Sequence, residues 1–140
     1  IPRSQKLFVT SDVDINYEDM EKFNIQKKEF MNKHDLISFL KKFRLLIIPG
    51  HKGEVFCLAA VEAKELCLPI VTMGYGALKE RVEHGVTGYI ANNQNEFIDY
   101  SLDILNNDET YKKFRNNLFN KRGMRTYKNV AEDLINIITT

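Results

Sequence analysis

Residues 44–73 read RLLIIPGHKGEVFCLAAVEAKELCLPIVTM. Arg44-Leu-Leu-Ile-Ile-Pro49 is a short continuous apolar run of the kind that forms a strand buried on both faces. Gly50 and Gly53 open a loop, Val55 to Leu66 has the composition of a helix, and Pro69-Ile-Val-Thr-Met73 is a second strand. Strand, loop, helix and strand in that order make a parallel crossover unit. The same alternation continues on either side. Lys6 to Thr10 reads as a strand, Asn16 to Phe23 as a short helix and Lys28 to Phe30 as a weaker strand. Asp35 to Phe43 carries Leu36, Ile37, Phe39, Leu40 and Phe43 on one helical face. Ala77 to His84 reads as a helix closed by Gly85, and Tyr89 to Ala91 as a last short strand. From Asn95 the pattern is helical, with a break at Arg122-Gly123 and an amphipathic end around Val130, Leu134, Ile135 and Ile138. The expected fold class is α/β: a Rossmann-like parallel sheet with helices on both faces.

The chain has 140 residues, 44% hydrophobic and 28% charged, so one domain with an ordinary core is expected. A formal net charge of +1 gives no bulk attraction to nucleic acid or to an anionic membrane. The pairs Lys27-Lys28 and Lys41-Lys42 read as solvated faces. Cys57 and Cys67 are expected to be buried free thiols, which suits a reducing compartment and hence a cytoplasmic setting. No apolar stretch approaches the roughly 20 residues of a membrane span. The chain opens on isoleucine, so it reads as a piece of a longer protein.

Several motifs fail on inspection. Asp12-Val-Asp14 could hold a divalent ion, and Asp12 to Phe23 starts like a calcium loop. Position six is Tyr17 instead of glycine and position twelve is Phe23 instead of glutamate, so that loop is rejected and no metal site is expected. Neither dinucleotide nor P-loop glycine signature is present, and no serine sits in a nucleophile elbow. His34 reads as exposed, and His84 as a cation at a helix end. His51 stands beside the Glu54–Glu62 run and is a candidate site residue.

Glu54 and Glu62 bracket seven uncharged residues. The spacing proves nothing, because Glu21 and Glu29 share it. Context is stronger. The loop from Pro49 to Gly53 leaves the carboxyl end of a parallel strand, where open α/β sheets bind ligands. A helix starting near Val55 or Phe56 would aim its free N–H groups into that crevice, ready for a phosphate. Ala59, Ala60 and Ala63 would let the helix approach the sheet closely. Glu62 would lie about two turns in, roughly 9–10 Å along the axis from Glu54. One carboxylate could take a sugar and the other the hydroxyls of a ribose. The plainer alternative is an acidic helix start at Glu54 and a solvated Glu62–Glu65 stripe.

The residues Gly53-Glu-Val-Phe-Cys-Leu-Ala-Ala-Val-Glu62, Leu68-Pro69-Ile70-Val71, Gly76-Ala77-Leu78-Lys79-Glu80 and Gly85-Val86-Thr87-Gly88 resemble, in order, the E-x7-E, strand-entry, glycine-turn and G-x-x-G elements of glycosyltransferase family 4 (glycosyltransferases group 1). The likeness covers about residues 44 to 91 and is to the C-terminal donor-binding domain, half of a GT-B fold. It implies a retaining glycosyltransferase, hexosyltransferase in type, that uses a nucleotide-sugar and no cofactor or essential metal. It implies that Glu54 orients the donor sugar and is the catalytic candidate. It implies that Val55, Phe56, Cys57 and Leu58 hold the diphosphate through backbone N–H groups and that Glu62 binds the ribose; Gly53, His51 and Gly76 are further candidates. The pattern departs from the family at Cys57, Ala77 and Leu68, where glycine is usual, and Cys57 would add bulk beside the donor. The family's basic residues near the start of the domain have no counterpart, Arg3 being poorly placed. Residues 1–140 would then be one donor-binding domain, incomplete at its N-terminus, with the acceptor domain absent from the chain. Alone it would transfer nothing. The acceptor, a glycan or lipid-linked sugar, would come from polysaccharide biosynthesis, and the whole protein would sit in the cytoplasm or peripherally at the cytoplasmic face of the membrane. The alternatives are a non-catalytic nucleotide-binding or interaction module, and another GT-B enzyme such as a phosphorylase or sugar-nucleotide epimerase.

Overall fold

The structure, a computed structural model, describes residues 7–9, 16–29, 31–123 and 126–139. Arg3, Asp12-Val-Asp14 and Phe30 lie outside them. The chain forms two compact units, Ile1–Phe39 and Leu40–Thr140.

In the first unit, β1 (Leu7–Val9) pairs in parallel with β2 (Ile25–Lys27), Leu7 opposite Ile25 and Val9 opposite Lys27. Between them α1 (Tyr17–Lys22) starts at Asn16, whose side chain accepts the Asp19 N–H at 2.8 Å. Glu18 and Asp19 in its first turn favour the positive end of the helix dipole. The second strand begins three residues before the expected Lys28, because Asn24 takes a left-handed φ of 53° and turns the chain directly out of α1. α2 (Lys33–Leu40) also starts early, since Asn32 accepts the Asp35 N–H at 3.0 Å and so caps the helix. It stops at Leu40, short of the expected Phe43.

The second unit contains β3 (Leu46–Ile47), α3 (Leu58–Glu65), β4 (Ile70–Thr72), α4 (Leu78–Arg81), β5 (Gly88–Ile90), α5 (Gln94–Asn106), α6 (Asp108–Lys121) and α7 (Tyr127–Thr139). The sheet order is β3-β4-β5, all parallel. Side chains alternate across it with the period of two that a pleated strand imposes. Toward one face Ile70, with Leu46, Ile48 and Ile90, packs with Ala60 and Ala63 of α3 and with Leu78 and Val82. Toward the other, Val71, with Leu45 and Tyr89, packs with Ile104 of α5 and Phe114 of α6. Helices therefore cover both faces, as the alternating pattern predicts. The buried strand is β4, whose Val71 and Thr72 are 0% exposed. β3, expected to be buried on both sides, is half-buried, because it is an end strand of this sheet among the described residues.

Beneath the second face, the Tyr89 ring stacks on Tyr100 at 4.3 Å and meets Phe114 edge-on at 5.0 Å. The Tyr89 hydroxyl donates to Asp103 Oδ2 at 2.7 Å. Burial, then that hydrogen bond, pushes its pKa up to about 12. Phe114 is 1% exposed. Phe114→Ala is expected to cost about 3–5 kcal/mol of stability, read by urea unfolding.

Three helix expectations change. α3 starts at Leu58, not near Val55, and Ala59 is exposed while Ala60 and Ala63 meet the core. α4 is a single turn that ends at Arg81, because Val82 turns extended, with φ −117° and ψ 122°, to bury its side chain. Gly85 keeps the expected left-handed φ of 74° but in the turn before β5, where its N–H donates to the Gly88 carbonyl at 2.8 Å. His84 consequently does not end a helix. Its Nδ1 lies 3.1 Å from both the N and the O of Ile90, and its ring meets Tyr89 and Tyr100 edge-on.

Candidate functional site

The loop that follows β3 leaves the carboxyl end of the parallel sheet, and Pro49 anchors it there. The Pro49 carbonyl accepts the Met73 N–H at 3.2 Å, and the Thr72 hydroxyl lies 3.5 Å from the same oxygen. The Thr72 hydroxyl also accepts the Gly74 N–H at 3.1 Å, so the loops after β3 and β4 are tied at one edge. Gly50 has φ 82° and passes against Leu78 and Tyr75, a tight turn that a Cβ would obstruct.

Glu54 is the organising residue. Its N–H donates to the His51 carbonyl at 3.1 Å, and its own carbonyl accepts the Ala77 N–H at 2.8 Å. Its Oε1 accepts the Cys57 N–H at 3.0 Å, and Oε2 lies 3.9 Å from Nε2 of the exposed His51. The carboxylate therefore holds the start of α3 and shifts the first helical residue to Leu58. His51 is tied to its own loop, since its Nδ1 accepts the Gly53 N–H at 3.2 Å. Gly76 has φ 57° and passes so close to the Glu54 and His51 carbonyls that no side chain fits. Ala77, which replaces a usual glycine, has an ordinary φ of −62° and needs no glycine.

Cys57 takes the N-cap position of α3 with a left-handed φ of 55°, and its side chain is buried. At the other end Cys67 is also left-handed, with φ 53°. Its N–H donates to Lys64 at 3.0 Å while the Leu68 N–H reaches back to Ala63 at 2.8 Å, the closing pattern in which glycine is usual. Both thiols are free, as expected.

The Leu58 and Ala59 N–H groups of the first turn of α3 have no acceptor among the described residues. Val55, Phe56 and Leu58 are exposed beside them, so the loop presents backbone donors to solvent inside an apolar rim. Glu62 is half-buried on α3, and its carboxylate takes no hydrogen bond among the described residues. Because α3 starts at Leu58, Glu62 lies one turn into the helix, about 6 Å along its axis, and not two. The structure thus brings His51, Gly53, Glu54, Phe56, Cys57 and Gly76 together in one loop pair. Glu62 stands one turn away along α3. No cluster among the described residues has the composition of a metal site.

Sequence reading missed Arg81. Its Nε–H donates to the Phe56 carbonyl at 3.2 Å, and its guanidinium stands 4.4 Å from the Phe56 ring centroid. The two residues are 25 positions apart, and no local spacing marks the pair.

A sequence model of the family described as glycosyl transferases group 1 matches residues 20–121. An uncharacterised glycosyltransferase of Methanocaldococcus jannaschii, MJ1178, is 32% identical over 85 residues, 59% of this chain. The match takes in 24% of that relative, so the chain corresponds to about a quarter of its length. Among solved structures, Anabaena HepE in complex with UDP superposes with a TM-score of 0.64 at 20% identity, covering 84% of this chain and 35% of that one. TarM superposes with a TM-score of 0.67 at 20% identity, covering 99% of this chain and 30% of its own. These likenesses place the chain in the α/β fold of those proteins.

Proposed function

The chain belongs to the group 1 glycosyl transferases, and from that premise we propose that residues 1–140 are the nucleotide-sugar donor domain of a retaining family 4 glycosyltransferase of hexosyl type. The observation that carries this reading is the pair of N–H groups at the start of α3, Leu58 and Ala59, which have no acceptor among the described residues and are flanked by Glu54 and Glu62. A diphosphate would dock on those donors together with the Cys57 N–H, where the helix dipole also favours an anion. Val55 and Phe56 line the same loop. Glu54 would turn to the donor sugar and orient its reacting carbon, and Glu62 would take the ribose hydroxyls. Backbone donors fixed before the reaction would stabilise the charge that grows on the departing diphosphate. That HepE was solved with UDP supports a nucleoside diphosphate as the ligand class.

The acceptor, a glycan or lipid-linked sugar of polysaccharide biosynthesis, would be supplied by a further domain of the whole protein, and this chain alone would transfer nothing. The reaction would need no cofactor or metal. The whole protein would work in the cytoplasm or peripherally at the membrane's cytoplasmic face. None of the described helices is long and apolar enough to cross a membrane.

The test is a heteronuclear NMR titration of the chain with UDP, GDP and ADP beside Glu62→Ala. Shifts at residues 50–62 and 74–80 are expected with one of the bases. Glu62→Ala is expected to weaken that nucleotide about tenfold, the worth of a charge-assisted hydrogen bond, with the rest of the spectrum unchanged. Saturating nucleotide without shifts at these residues would refute the reading in favour of a non-catalytic interaction module.

A further inference from the structure

Arg81 holds one peptide group of the candidate site from the side opposite Glu54. Its Nε–H donates to the Phe56 carbonyl oxygen at 3.2 Å. The N–H of the same peptide, on Cys57, donates to Glu54 Oε1 at 3.0 Å. The Phe56–Cys57 peptide thus lies between a guanidinium on its oxygen and a carboxylate on its hydrogen. A donor on the carbonyl oxygen draws electron density from the amide nitrogen, which makes the N–H a stronger donor. The contact also restrains Phe56, which the core does not hold. Phe56 is 51% exposed, and its ring is covered by the Arg81 guanidinium at 4.4 Å. Cys57 keeps a left-handed φ of 55°, which an L residue abandons unless its neighbours fix it.

We propose that Arg81 is a positioning residue for a nucleoside diphosphate: it locks and polarises the Phe56–Cys57 peptide so that the Cys57 N–H meets a phosphate oxygen, and the Glu54 carboxylate is the resident anion which that phosphate displaces. The proposal rests on the reading that a diphosphate docks at the start of α3. Displacement would release Glu54 from its cap at the moment a donor arrives. The guanidinium adds a full positive charge within two bonded groups of the phosphate donor, where an anion gains most from it.

The test compares the chain with Arg81→Met, which keeps an apolar stem but loses the charge and the Nε–H, and with Arg81→Lys, which keeps a charged donor but loses the planar guanidinium and its fixed Nε–H. Each is titrated by NMR with UDP, GDP, ADP and inorganic pyrophosphate. In Arg81→Met the Cys57 amide proton is expected to move upfield before any ligand is added. Affinity for pyrophosphate and for the preferred nucleotide is expected to fall about tenfold, with Arg81→Lys recovering part of it. An unmoved Cys57 amide, or affinities within about twofold of the parent in both variants, would overturn the proposal. If Arg81→Met does not fold, the Arg81→Lys comparison decides by the same two readouts. A parent chain that takes pyrophosphate but no nucleotide sinks the donor-domain reading, and the pyrophosphate titration still judges Arg81. A parent chain that takes neither overturns both.

Discussion

Gly88→Ala is expected to lower stability by about 3 kcal/mol, roughly 10 °C in Tm for a chain of this size. Gly88 opens β5 in register with Ile70 of β4. A Cβ there would land on the Ile70 carbonyl oxygen and stand 3.0 Å from its N and 3.1 Å from its carbonyl carbon. These are backbone atoms of the central strand, so no rotamer change relieves the overlap. Ile70 and Val71 are 4% and 0% exposed, and β4 cannot step aside without opening the cores on both faces. Gly85→Ala is the matched control. Gly85 has φ 74° but nothing within 4 Å of an added Cβ, so its cost is the left-handed strain alone, about 1 kcal/mol. Thermal melts of the two variants would separate them, and equal shifts in Tm would contradict the close approach at β5.

Gly76→Ala is expected to cost about 2–3 kcal/mol and to weaken the preferred nucleotide tenfold or more, the second effect resting on the donor-domain reading. Gly76 combines a φ of 57° with a Cβ position 3.0 Å from both the Glu54 Cβ and the His51 carbonyl oxygen. The added methyl would push the loop after β4 off the loop after β3 and break the 2.8 Å hydrogen bond from Ala77 to Glu54. Glu54 would then lose the backbone anchor that aims its carboxylate. Gly74→Ala distinguishes site damage from general strain. Gly74 is equally left-handed, with φ 68°, but its Cβ would meet only the Ile90 side chain. It should lose stability while keeping more of the affinity. NMR titration of both variants measures the difference, and equal loss of affinity in the two would contradict a special role for the Gly76–Glu54 contact.

The architecture was readable because its signals are local. The apolar run before Pro49, the strand after Pro69 and the helical stretch from Asn95, which Asn107 divides into α5 and α6, appear in the folded chain, because burial on a sheet face or helix face leaves a short-range period in the sequence. The break at Arg122-Gly123 is likewise local and separates α6 from α7. The resemblance that pointed to the group 1 glycosyl transferases rested on ordered motifs within residues 44–91, and the family match covers residues 20–121.

Errors came where a side chain outbid the backbone pattern. Val55 to Leu66 has helical composition throughout, yet α3 starts at Leu58 because Glu54 takes the Cys57 N–H and Cys57 turns left-handed. Ala77 to His84 also looks helical, yet α4 ends at Arg81 because burying Val82 in the core is worth more than another turn.

The sequence by itself determined the alternation of strands and helices as far as β5 and the parallel class of the sheet, and it singled out the glutamate pair as a candidate. Tertiary structure alone decided what those glutamates do at rest. Glu54 caps α3 and anchors Ala77, while Glu62, one turn away, has a carboxylate with no hydrogen bond among the described residues. It alone joined Arg81 to Phe56 across 25 residues. Periodicity records which face of an element is buried. It carries no record of which two loops a parallel crossover brings to the same edge, because that contact is set by the closure of the sheet.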